Sequence, residues 1–164
     1  MSMIYLLLGA NLGDRTSQLL NAFREIKERI GPIIRYSALY ETAAWGREDE
    51  PPYLNQVLCV NTDLTPQELL KIIHEIESLL GRTRQLRWES RLIDIDILFY
   101  DDIILNDPDL TIPHPYLHKR KFTLAPLAEI SPEYIHPVLL KTVEQLLRDL
   151  HDPLEVIKLP FKFG

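Results

Sequence analysis

The stretch from Thr65 to Gly81 carries the strongest conformational instruction in the chain. Thr65 and Glu68 stand in capping-box relation, and Pro66 takes the first helical position, where its missing N–H costs nothing. Leu69, Ile72, Ile73, Ile76 and Leu80 then draw one apolar stripe at three- and four-residue spacing, and Gly81 is the natural stop. The same logic predicts an earlier helix, with Asp14 as N-cap, Leu19, Ala22, Phe23, Ile26 and Ile30 as its stripe, and Gly31-Pro32 as its end. A helix with one apolar stripe must bury it against something. The partners on offer are strand-like runs at 3–8, 33–41, 55–63 and 92–100.

These elements read strand-helix-strand-strand-helix-strand, which predicts an α+β chain of ferredoxin-like arrangement: an antiparallel sheet with both helices on one face. Further helical stretches near 121–130 and 140–150 form C-terminal additions, and 155–159 offers an edge strand. A length of 164 residues suits a single domain over 1–164, with no repeat or linker to divide it. No apolar run approaches the roughly 18 residues of a membrane span, and the start lacks a basic signal-peptide region. The expected setting is cytoplasmic. Cys59, the one cysteine, lies among Val57, Leu58 and Val60 and reads as a core residue. A net charge of -6 argues against a broadly basic nucleic-acid binder. Nothing in the sequence demands more than a monomer.

Two connections are long enough to suggest function, 42–54 and 82–91. The second carries Arg82, Arg84, Arg87, Trp88 and Arg91 directly before Leu92-Ile93-Asp94-Ile95-Asp96-Ile97-Leu98-Phe99. On a strand, Asp94 and Asp96 point one way and Ile93, Ile95 and Ile97 the other. Two like charges side by side repel, so a hard divalent cation such as magnesium could compensate them; an exposed, water-screened strand face is the plainer alternative. Arginine forks beside such a pair suit phosphoryl transfer, against a solvated loop or an RNA patch with Trp88 as a stacking platform. His74 and Glu77 share a flank of the second helix. Glu77 faces the exit into the arginine segment, where an ion pair with Arg82 or Arg84 is equally in keeping with the spacing. Gly9-Ala10-Asn11-Leu12-Gly13-Asp14 lacks the lysine and spacing of a phosphate loop and reads as a tight turn before a capped helix. His114 is held between Pro113 and Pro115. Lys119, Arg120 and Lys121 either extend a positive field or simply begin a helix.

Taken together, these residues resemble the 6-hydroxymethyl-7,8-dihydropterin pyrophosphokinase family of folate biosynthesis. The likeness runs through the opening Gly9 to Asp14 turn, Tyr40-Glu41-Thr42 with Tyr53-Leu54-Asn55, the arginine segment, the paired-aspartate strand, Leu110-Thr111-Ile112-Pro113-His114-Pro115, and Arg120 with Phe122. It implies transfer of pyrophosphate from ATP to the hydroxymethyl group of the pterin, leaving AMP. Asp94 and Asp96 would hold two magnesium ions along the triphosphate, with Arg82 and Arg91 closing over the phosphates as the remaining catalytic groups. His74, Glu77, Arg84, Arg87, Ile97, Thr111, His114 and Arg120 would line the nucleotide. The pterin would stack between Tyr53 and Phe122. Thr42, Ala43, Trp45 and Asn55 would read its edge, and Trp88 would help close the site. Trp88-Glu89-Ser90-Arg91 departs from the family's usual Trp-Gly-Pro-Arg, and Ala44 and Ala10 from the usual proline and serine; the first change should alter the stiffness of the arginine segment.

Two rivals belong to other classes. A catalytically silent nucleotide- or pterin-binding module would keep the pocket without turnover. An RNA-binding ferredoxin-like domain would use its sheet face, yet the first strand carries only Tyr5 as an aromatic and the third strand none.

Overall fold

The computed structural model describes residues 1–10, 13–42, 52–81 and 93–160. Strand β1 (Ser2–Ala10) leads into α1 (Arg15–Arg29), followed by β2 (Ile33–Tyr36), β3 (Tyr40–Thr42) and β4 (Tyr53–Thr62). Helix α2 (Pro66–Gly81) precedes β5 (Asp94–Tyr100) and the hairpin of β6 (Leu105–Asp107) and β7 (Leu110–Ile112). Helices α3 (Lys121–Ile130) and α4 (Val143–Asp149) and strand β8 (Val156–Lys158) complete the described chain. The main sheet is ordered β5-β1-β4-β3-β8, with β2 also paired to β4. All its pairings are antiparallel.

The signals at the helix ends work as their chemistry requires. Asp14 accepts from Ser17 N at 3.1 Å. Thr65 N donates to Glu68 Oε1 at 2.9 Å while Glu68 N donates to Thr65 Oγ1 at 3.1 Å, a reciprocal box. A second box, between Thr142 and Gln145, starts α4 at Val143 rather than at 140.

The sheet is buried on both faces. Ile4, Leu6 and Leu8 pack with Leu19, Phe23 and Ile26 of α1 and with Leu69, Ile73 and Ile76 of α2. On the opposite face Tyr5, Leu7, Val57 and Cys59 pack beneath Leu124 and Leu127 of α3 and Val143 and Leu146 of α4. Each such aliphatic side chain removed from water contributes about 1.5–3 kcal/mol, so neither layer is dispensable. Cys59 is fully buried, and burial raises its thiol pKa above the ordinary value, as a core cysteine requires.

Two features depart from the simple reading. The strand expected over 33–41 is broken at Ser37, where side chains take over the ladder: Ser37 Oγ accepts from Val57 N and donates to Ala38 O, and Ala38 N donates to Glu129. Between β1 and β5 the register slips by one. Tyr5 faces Phe99 but Leu6 faces Ile97, leaving Leu98 as a bulged residue. Leu98 and Phe99 therefore both join the α3 face, and Asp96 and Asp94 fall opposite Leu7 and Gly9.

Candidate active site

Register alone brings much of the site together. Asp94, Gly9, Asn55 and Tyr40 form one row across β5, β1, β4 and β3, and directly opposed residues share a face. The next row on one side holds Asp96 and Leu7, and on the other Thr42 and Tyr53. This face is the one that α3 covers, and Phe122 enters from the first turn of that helix. The outcome is a cavity of about 220 Å³ lined by Leu7, Gly9, Thr42, Tyr53, Asn55, Asp94, Asp96, Arg120, Phe122 and Leu154.

Its walls carry specific polar features. The Thr42 hydroxyl is buried with no hydrogen-bond partner among the described residues, an arrangement that costs free energy until something fills it. Asn55 donates from Nδ2 to Leu8 O at 3.1 Å, which fixes the amide against the cavity. Gly9 makes this possible, because a Cβ there would stand 2.9 Å from Asn55 Nδ2. The Arg120 guanidinium lies 5.6 Å from the Phe122 ring and 5.4 Å from the Tyr116 ring, within cation–π range of both.

A second cavity, about 310 Å³, lies beside the first. Its lining includes His74 and Glu77 from α2, Asp96 and Ile97 from β5, Asp109, Leu110 and Thr111 from the hairpin, and His114. Asp96 borders both cavities. Glu77 Oε2 accepts the backbone N–H of Ile95 at 2.9 Å, so its carboxylate grips the strand between the two aspartates. Burial pushes the His114 imidazole below its ordinary pKa and Arg120 acts the same way, while Asp96 opposes them. Its Nδ1 accepts from Tyr116 N at 3.2 Å, so the neutral ring carries its proton on Nε2.

The described residues expected at the pterin, Thr42, Tyr53, Asn55 and Phe122, all meet in the first cavity. Those expected at the nucleotide, His74, Glu77, Ile97, Thr111 and His114, all meet in the second. Arg120 differs: it lines the first cavity, with its guanidinium 5.4 Å from the Tyr116 ring, which in turn stands 6.2 Å from that of His114. Arg82, Arg84, Arg87, Arg91, Trp88, Ala43 and Trp45 lie outside the described residues. The sequence reading missed Leu7, Gly9 and Leu154 in the first cavity and the hairpin tip Pro108-Asp109 in the second. Gly9, expected to close the strand run at 3–8 and open a turn, lies instead within β1, which continues to Ala10; Leu154 left no signal.

The aspartates suit a hard cation. Both are half-buried oxygen donors on one strand face, at the seam between two cavities. Among the described residues no cluster of three or more metal-binding side chains exists. Magnesium takes one or two carboxylates and completes its shell with water and phosphate.

Comparison with known proteins places the chain. Residues 5–132 match the family model of 7,8-dihydro-6-hydroxymethylpterin-pyrophosphokinase. The chain belongs to that family. A 2-amino-4-hydroxy-6-hydroxymethyldihydropteridine pyrophosphokinase from Aquifex aeolicus is 43% identical over 145 residues, covering 88% of this chain and 90% of its own. One of the same name from Methylorubrum extorquens is 40% identical, covering 82% and 86%. A Plasmodium falciparum HPPK-DHPS crystal structure aligns with a TM-score of 0.73 at 21% identity, over 90% of this chain and 44% of that one. That last likeness concerns the fold alone, and this chain spans less than half of the longer protein. As a pyrophosphokinase of this family, the chain is an ATP-dependent enzyme of folate biosynthesis. It transfers pyrophosphate from ATP to 6-hydroxymethyl-7,8-dihydropterin.

Proposed function

We propose that the two cavities divide the substrates, with the pterin in the cavity of Tyr53 and Phe122 and ATP in that of His74, Thr111 and His114. The observation that carries this is Asp96, which borders both. A hydroxymethyl group reaching from one cavity would meet phosphates reaching from the other beside Asp94 and Asp96. The ring suits the first cavity because aromatic side chains offer it stacking surface. The lone Thr42 hydroxyl offers its polar edge a partner.

In the transfer, the hydroxymethyl oxygen attacks the β-phosphorus of ATP, the bond from that phosphorus to the oxygen bridging the α-phosphate breaks, and AMP leaves with that oxygen. Asp94 and Asp96 would hold magnesium, two ions in our reading; when bound, these supply charge neutralisation and acidify the attacking hydroxyl. His114 would donate its Nε2 proton to a phosphate or ribose oxygen. Arg82 and Arg91 would stabilise charge on the transferring group, with Arg84, Arg87 and Arg120 as further anion contacts. Ala43, Trp45 and Trp88 would complete the pterin side. Residues 1–164 would act as one unit, since a single sheet carries the cores on both of its faces. The enzyme would work as a cytoplasmic monomer that binds no nucleic acid, in keeping with its net charge of -6. No helix among the described residues is long and apolar enough to cross a membrane.

The test is Asp96→Ala, assayed for AMP formation from ATP, magnesium and the hydroxymethyl pterin. Turnover should fall on the order of a thousandfold while thermal unfolding and pterin binding stay near wild type, the scale seen when a group stabilising transition-state charge is removed. Near-normal turnover would overturn the metal assignment.

A further inference from the structure

We propose that Leu154 is a ring-positioning residue for the dihydropterin, and that the segment from Asp152 to Lys158 forms one wall of its site. The proposal rests on the pterin reading of the first cavity. Leu154 lines that cavity opposite residues from four strands and α3, yet it lies outside residues 5–132, the part that matches the family model. The wall it belongs to is built rather than incidental. Asp152 Oδ2 accepts from Lys121 N at 3.1 Å, the first N–H of α3, and Asp152 Oδ1 accepts from Leu154 N at 3.0 Å. One carboxylate thus fixes Leu154 relative to Phe122, the next residue of the helix. On the other side β8 pairs with β3, and Val156 stands opposite Thr42. Leu159 N donates to Leu39 O at 2.8 Å beyond that pair. Leu154 is therefore held between Phe122 and Thr42, by the Asp152 carboxylate on one side and by backbone pairing on the other.

A leucine has no polar group to offer, so it recognises shape. The polar lining of the cavity comes from Thr42, Asn55, Arg120 and the aspartates, and Leu154 joins Leu7 on its apolar part. Such a contact fixes the flat ring sideways and excludes rings with added bulk at that edge.

Binding of the pterin and of ATP should be measured separately on Leu154→Ala and Leu154→Met, together with KM and kcat. Leu154→Ala should weaken pterin binding and raise its KM about tenfold, with much smaller changes in kcat and in ATP affinity. Leu154→Met, which restores apolar volume, should recover most of the loss. Pterins carrying one additional ring methyl should gain affinity for Leu154→Ala relative to wild type, a reversal that a merely structural residue would not produce. Asp152→Ala, which frees the wall without touching the ring, should move pterin affinity in the same direction. Wild-type pterin affinity in Leu154→Ala, or equal losses for pterin and ATP, would overturn the proposal. Absence of pterin binding by the wild type would instead overturn the cavity reading beneath it, and the proposal with it.

Discussion

His136 should make the fold acid-sensitive well above the pH at which most carboxylates titrate. Its residue is 4% exposed. Its Nδ1 accepts two backbone N–H groups, Val138 at 3.1 Å and Leu139 at 3.0 Å. The ring stands 5.7 Å from Phe99 and 6.2 Å from His118. Burial, and then the neighbouring His118, press its pKa from 6.5 down to about 4. The folded state therefore prefers the neutral ring, and protonation would destroy both accepted hydrogen bonds. A depressed folded-state value means the stabilisation is complete above pH 6.5 and is lost progressively as the pH falls towards 4. The full displacement corresponds to roughly 3 kcal/mol, and solvent screening near the surface brings this to roughly 1.5 kcal/mol. Urea unfolding of wild type and His136→Asn between pH 7.5 and 4.5 tests the reasoning. The asparagine oxygen can accept the same N–H groups but does not titrate. The variant should start about 1 kcal/mol less stable, from the lost ring packing, and the wild type should lose that advantage on acidification. Stability curves that stay parallel throughout the interval would refute it.

Glu77→Ala should leave the Ile95 N–H without its 2.9 Å acceptor and loosen the strand that carries the aspartates. The magnesium concentration for half-activation should rise about tenfold, as read from turnover against magnesium, and Glu77→Gln should restore part of it through its amide oxygen. Gly9→Ala places a Cβ 2.9 Å from Asn55 Nδ2 and must disturb the bond to Leu8 O. We expect a cost of about 1–3 kcal/mol in chemical unfolding and weaker pterin binding, with ATP binding much less affected. Arg15 donates to Glu41 at 3.2 Å and to Pro52 O at 2.7 Å, joining the end of β3 to the start of β4. Arg15→Ala should raise the KM of the pterin several-fold and cost about 1 kcal/mol in thermal unfolding, leaving the KM of ATP unchanged.

What could be read in advance depended on whether the signal was local. The Thr65–Glu68 capping box, the apolar stripes and the alternation of Asp94 and Asp96 with isoleucines are set by neighbours within a few residues, and each is in place. The break at Ser37 was not legible, because the groups that replace the ladder come from Val57 and Glu129. Leu154 was invisible for the same reason: nothing beside it in sequence announces a ring wall. Its place follows from Asp152 reaching Lys121 and from β8 pairing with β3. The β6 and β7 hairpin is made of three-residue strands, too short for any period to show.

The bulge at Leu98 limits which insertions and deletions the gene can tolerate. Because Tyr5 faces Phe99 while Leu6 faces Ile97, the two halves of β5 run out of phase by one residue. Were Leu98 drawn into the ladder opposite Leu6, pairing outward from Tyr5 would set Asp96 opposite Leu8, whose side chain lies among Leu19, Phe23 and Ile26. Two carboxylates would then point into an apolar core, at several kcal/mol each. Many side chains of suitable size could stand at 98, and a chain one residue shorter there would still set Ile97 opposite Leu6 and Asp96 opposite Leu7. In an alignment of relatives, position 98 is where this stretch should admit a one-residue gap.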